Sequence, residues 1–202
     1  MKKSKYELLL SNDIIERVDY IAKRMATSRS ATVNRLLGER LEIETPEGRI
    51  DSLYEELESY FSKSDDELVP FYIPGGASLY LVGRGQNVCL EIVIFEKEGA
   101  LSGELHFHCR SRSYLIRSRF NTFFSYIRLL EGKYFPWSIG YKVRDCLFVR
   151  GFELKDERGL ELLSAYVGMV NRLMKGYLAG SYGDEDLELE FLQYIKDGLA
   201  GI

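Results

Sequence analysis

The sequence predicts two units of different class: a small, mostly helical N-terminal unit that depends on a partner copy, and a C-terminal α+β domain with an antiparallel sheet and packed helices. Three observations predict this. Apolar residues recur at helical spacing as far as residue 61 and mainly at strand spacing from residue 71 to 109, so the hydrophobic period changes along the chain. Charge alternates in blocks: residues 1–41 hold nine Lys/Arg against five Asp/Glu, residues 42–69 two against ten, residues 70–155 twelve against seven, and residues 156–202 four against nine. The polar, acidic stretch Ser62-Lys63-Ser64-Asp65-Asp66-Glu67, followed by Pro70, separates the two patterns. The expected organisation is an N-terminal unit at 1–45, an acidic helical connector at 46–69 and an α+β domain at 70–202.

The N-terminal elements follow in order. Lys5–Leu10 alternates imperfectly, with Tyr6, Leu8 and Leu10 on one face and Lys5, Glu7 and Leu9 on the other, as in a short strand. Ser11-Asn12-Asp13 supplies an N-cap and an acidic first turn, after which Ile14, Ile15, Val18, Ile21, Ala22 and Met25 form the apolar stripe of a helix. Thr27-Ser28-Arg29-Ser30 offers a second cap, and Val33, Leu36, Leu37 and Leu41 mark a second helix. One six-residue strand and two short helices cannot satisfy their edges and bury their stripes alone, so homodimerisation is expected.

In this order and register, residues 3–42 resemble the ribbon-helix-helix DNA-binding proteins of the Arc/MetJ/CopG type. The resemblance implies that two N-terminal strands pair across a homodimer or higher oligomer and enter the major groove of double-stranded DNA, with Lys3, Lys5, Glu7 and Leu9 at the DNA face. It implies that Tyr6, Leu8 and Leu10 join the dimer core. It also implies that Ser28, Arg29 and Ser30, at the start of the second helix, hold a backbone phosphate. Glu7 departs from the family's polar or basic readers: phosphates repel a carboxylate unless it accepts from a cytosine amino group, while Leu9 suits a thymine methyl. A ribbon that only dimerises is the bland alternative. Lys2, Lys3 and Lys5 bring three positive charges per chain to the ribbon, so a dimer presents six.

That basic block changes the meaning of the composition. A pI near 5.4 and a net charge of −4 count against duplex binding only as an average over the chain. With 46% hydrophobic and 29% charged residues and no apolar run approaching the roughly 18 residues of a spanning helix, no membrane partner is expected. Leu8-Leu9-Leu10 is too short for the apolar core of a signal peptide, and Cys89, Cys109 and Cys146 are odd in number and widely spaced, so a reducing, cytoplasmic setting is expected.

Gly48-Arg49 opens a third helix with Ile50, Leu53, Tyr54, Leu57, Tyr60 and Phe61 opposite Glu55, Glu56 and Glu58. Strands are expected at Ser78–Val82, Val88–Phe95 and Glu104–Cys109, a helix along Ile116–Leu130, strands at Tyr141–Val143 and Leu147–Phe152, a long helix along Leu160–Met174 and a short one along Leu187–Leu199. Within this domain Arg110, Arg112, Arg117 and Arg119 form the densest basic stretch. It is a weak candidate for holding a phosphate-bearing effector, the alternative being pairing with the acidic connector or with the Asp184–Glu190 run.

His106 and His108 sit on one strand face beside Glu104 and Arg110, opposite Leu105, Phe107 and Cys109. Nickel-responsive repressors are similar in carrying a His-x-His strand and a later cysteine behind a ribbon-helix-helix unit. Here the cysteine is adjacent and a third histidine is lacking, so no metal ligand and no cofactor are assigned. No nucleophile, base and orienter stand at telling spacing, and an enzyme is not expected. The expected function is a sequence-specific DNA-binding transcriptional regulator, a repressor by family habit, with an effector or protein partner on the C-terminal domain. The alternatives are a toxin-neutralising or other protein-binding module, a plasmid maintenance or conjugation accessory protein, and, less favoured, a metal-responsive regulator.

Overall fold

A computed structural model describes residues 7–25, 27–43, 46–63, 68–72, 78–83, 87–97, 100–155, 158–199 and 201–202. Lys3, Lys5 and Tyr6 lie outside them. Among the described residues the architecture is α+β, with six helices and one six-stranded antiparallel sheet.

The chain opens with α1 (Asn12–Arg24) and α2 (Arg29–Leu41). Glu7–Leu10, the described part of the expected strand, carries no strand pairing in the single chain. A strand needs backbone groups across from it, and a lone one finds only water. Ser11 stands at the N-cap of α1 but makes no side-chain capping bond, unlike Ser28 at the head of α2.

The third helix, α3 (Pro46–Lys63), begins two residues before the expected Gly48 and turns Tyr54, Leu57 and Phe61 into the same core as the sheet. The Tyr54 hydroxyl accepts the Ile94 N–H at 2.7 Å, a long-range tie between helix and sheet. Burial pushes that phenol up to about 12. The acidic "connector" is thus anchored on its apolar side, with Glu55 and Glu56 exposed.

The sheet runs β1 (Leu68–Tyr72), β2 (Leu79–Gly83), β3 (Val88–Lys97) and β4 (Ala100–Cys109) as a meander, followed by β6 (Leu147–Leu154) and, at the far edge, β5 (Tyr141–Arg144). β1 contains Pro70, which suits an edge strand because one side of its backbone needs no ladder bond. Leu79, Leu81, Leu90, Ile92, Ile94, Leu105, Phe107, Phe148 and Phe152 face the helices. Between β4 and β5, α4 (Tyr114–Tyr134) lays Phe120, Phe123, Phe124, Ile127 and Leu130 on this face.

The last helices complete the layer. α5 (Gly159–Ala179) buries Leu163, Tyr166, Val167, Val170 and Leu173, and it ends at Gly180, whose φ of 80° suits a residue without a Cβ. α6 (Asp184–Lys196) adds Leu187, Phe191 and Tyr194. Among the described residues no helix covers the opposite face of the sheet, which carries the alternating polar and apolar set that the strand periodicity implies.

Candidate nucleic-acid interface and the uncovered sheet face

Two regions hold the chemistry-bearing residues. In the first, the turn from α1 to α2 is built by Ser28 and Arg29. Ser28 Oγ accepts the Ala31 N–H at 3.1 Å, and the Ser28 carbonyl accepts from the Thr32 N–H and hydroxyl at 3.0 and 3.1 Å. Arg29 reaches back across the helix pair and grips Asp19 with both oxygens, Nε at 2.5 Å and Nη2 at 2.6 Å. The hydrogen bond from Arg29 holds the Asp19 carboxyl below its usual range. Arg29 thus links the head of α2 to α1 through a largely exposed ion pair, and Ser30 stands exposed in the first turn.

The same helix pair leaves much apolar surface open. Among its described residues only Val18, Ala22, Thr32 and Gly38 are buried, whereas Leu9, Ile14, Leu37 and Leu41 are 106%, 49%, 46% and 63% exposed. Glu7 is exposed beside Leu9. Lys3 and Lys5, the cationic part of the expected DNA face, lie outside the described residues, so the expected set meets here only in part.

Two of the four arginines of the C-terminal domain are engaged within the fold. Arg117 pairs with Asp145 and donates to Cys146 Sγ at 3.1 Å, bracing the β5–β6 turn, where Cys146 has a φ of 60°. Arg119 donates to the Leu178 carbonyl at 3.0 Å at the end of α5. Arg110 and Arg112 are exposed. The Asp184–Glu190 run, offered as a partner for this cluster, instead meets Lys133 through Glu188 and Arg172 through Glu190. A structural use thus accounts for two of the four.

On the uncovered sheet face, strand alternation places His106 and His108 side by side with ring centroids 6.1 Å apart, and directs Leu105 and Phe107 into the core. Glu91 joins them from β3, because the hairpin register pairs Lys97 with Ala100 and hence Glu91 with His106. The sequence alone does not single out Glu91 as a partner of the histidines. The signal is the register: strand β3 alternates Cys89, Glu91, Val93 and Phe95 onto this face, and the antiparallel pairing of β3 with β4 sets which of them meets which histidine.

No protein-family model matches the chain, and no curated protein or solved structure matches it either. Among the described residues no helix is long and apolar enough to cross a membrane.

Proposed function

We propose that the chain is a sequence-specific DNA-binding regulator that acts as a homodimer, pairing its N-terminal segments into a ribbon for the major groove. The observation that carries this reading is the open apolar surface of the first 43 residues. Leu8, Leu10, Ile14, Leu37 and Leu41, all exposed in the single chain, constitute half of a core, and a second copy supplies the other half by two-fold symmetry. Two features support the DNA contact itself. The capped N-terminus of α2, set by Ser28 and the Asp19–Arg29 pair, suits a backbone phosphate, and residues 1–41 carry a net +4 within an acidic chain. Repression is the usual consequence of such binding.

The test is selection of fluorescent duplexes from a random library, followed by titration across a salt series. The wild type is expected to enrich a motif with two-fold symmetry, and Lys5→Ala to flatten the salt slope. The reading is overturned if no motif is enriched and the slope is the same for Lys5→Ala combined with Arg29→Ala.

A protein-binding module is the second reading, and one observation favours it: Val69, Phe71 and Val82 on the uncovered sheet face are 45%, 59% and 43% exposed. Under that reading the duplex selection returns no motif, while the oligomeric state is unchanged.

A further inference from the structure

We propose that Glu91, His106 and His108 form a binding site for a divalent cation of the zinc class on the uncovered face of the sheet. This goes beyond the DNA-binding reading and stands independently of it.

The three donors come from two adjacent strands. Glu91 Oε2 lies 3.8 Å from His106 Nδ1 and 3.8 Å from His108 Nε2, and the three donor atoms all lie within 4.8 Å of one another. These separations are too long for hydrogen bonds. In a tetrahedral zinc site with bonds of about 2.0–2.2 Å, neighbouring donors stand about 3.4 Å apart, so an ion draws the two Glu91–histidine edges in by about 0.4 Å and the histidine–histidine edge by at most about 1.4 Å, through side-chain rotation. Two imidazoles and one carboxylate leave a fourth position for water.

The surroundings orient each donor toward the common point. The other oxygen of Glu91, Oε1, accepts from the Ser78 and Tyr80 hydroxyls, each at 2.8 Å, which aims Oε2 at the histidines. His106 Nε2 lies 2.8 Å from Glu104 Oε2, and Glu104 is itself held by Lys142 Nζ at 2.7 Å. This is the carboxylate–histidine arrangement that fixes the tautomer of a metal-ligating ring. That tautomer, with the proton on Nε2, leaves Nδ1 as the atom that faces Glu91 Oε2 and would ligate.

The side chains of Glu91, His106 and His108 are 21%, 24% and 37% exposed, so an ion has a path in from solvent. Cys109 faces away from the cluster, and Cys89, opposite His108 on the same face, is buried and is not among the donors that lie within 4.8 Å of one another, so the donor set is nitrogen and oxygen.

The experiment uses the full-length chain, stripped with chelator and dialysed. Isothermal titration with zinc chloride is expected to give one ion per chain. His108→Ala and Glu91→Gln are each expected to abolish stoichiometric binding, and Glu104→Gln to weaken it by about 10–100-fold, the usual effect of losing a partner behind a ligand. Far-UV circular dichroism shows that each variant keeps its fold, and the near-isosteric Glu91→Gln serves if His108→Ala does not fold. Cobalt loading is expected to give the visible bands of a tetrahedral ion without a thiolate charge-transfer band. Failure of the wild type to bind zinc, unchanged binding by folded Glu91→Gln, or a thiolate band overturns the proposal. Loss of DNA binding does not bear on it.

Discussion

The guanidinium of Arg150 and the carboxylate of Glu131 meet at 2.6 Å between β6 and α4, with neither side chain exposed. Each is further satisfied. Arg150 Nη2 donates to the Ile202 carbonyl at 2.8 Å, Tyr141 donates to Glu131 Oε2 at 2.5 Å, and the guanidinium lies 4.2 Å from the centroid of the Tyr166 ring. Burial, and then the adjacent Glu131 charge, push the Tyr141 phenol up, so it remains a donor.

A buried pair of this kind binds α4 to the sheet chiefly through what its removal leaves behind. Arg150→Met is expected to destabilise the protein by about 3–5 kcal/mol, because it strands a buried carboxylate, and the double variant with Glu131→Leu is expected to recover much of that. Urea unfolding measures both. An unchanged midpoint in Arg150→Met would show that the pair contributes nothing.

Two glycines give opposite outcomes for the same substitution. A Cβ on Gly103 in β4 would lie 2.3 Å from Phe152 Cζ and 2.3 Å from the Val93 carbonyl oxygen, so Gly103→Ala is expected to cost about 1–3 kcal/mol through overpacking. A Cβ on Gly132 in α4 would meet nothing within 4 Å, and Gly132→Ala is expected to stabilise by about 0.5–1 kcal/mol. Thermal melts of the two variants should move in opposite directions; equal shifts would contradict the packing described.

Acid should weaken the metal-free protein in two windows. Burial chiefly holds His108 below 6.5, so the unfolded chain takes up that proton first, and the contribution is complete above pH 6.5 and lost as pH falls through the folded value. The hydrogen bond from Lys142 chiefly holds Glu104 below 4.5, and its contribution is complete above pH 4.5 and lost as pH falls further. Urea midpoints against pH, with chelator present, are expected to fall through both windows. His108→Gln should flatten the upper one, and an unaltered profile between about pH 5 and 7 would count against this assignment.

The cap on α2 makes a local prediction. Ser28→Ala removes the acceptor of the Ala31 N–H and is expected to cost the helix about 1 kcal/mol. Hydrogen exchange should quicken in the first turn of α2 and stay constant in β3 and β4. Uniform loss of protection would mean that the two regions unfold as one unit.

Periodicity along the chain was enough to read most elements. The alternation around His106 and His108 already separated them from Leu105 and Phe107, and the stripe through Phe120, Phe124 and Ile127 already made α4 a packing helix. Pro70 concealed β1, because a proline rejects a central strand and only the sheet order reveals an edge. Glu131 continues the α4 stripe, and Arg150 lies between Phe148 and Phe152 on an inward face, so two charges at core positions were visible in the sequence. That they answer each other was not.

What the sequence by itself determined is therefore local: which residues face inward on each helix and strand, where helices are capped, and that the first 41 residues are basic and short of core. Those properties depend on spacings of two to four residues and on composition. The tertiary structure decided the pairings across the chain. One register step in the β3–β4 hairpin sets Glu91 against His106, the packing of α4 on β6 brings Glu131 to Arg150, and Arg117 is spent on Asp145 instead of joining its neighbours. Side-chain chemistry between distant segments depends on how elements dock, and a shift of one residue in register turns a side chain to the other face of the sheet.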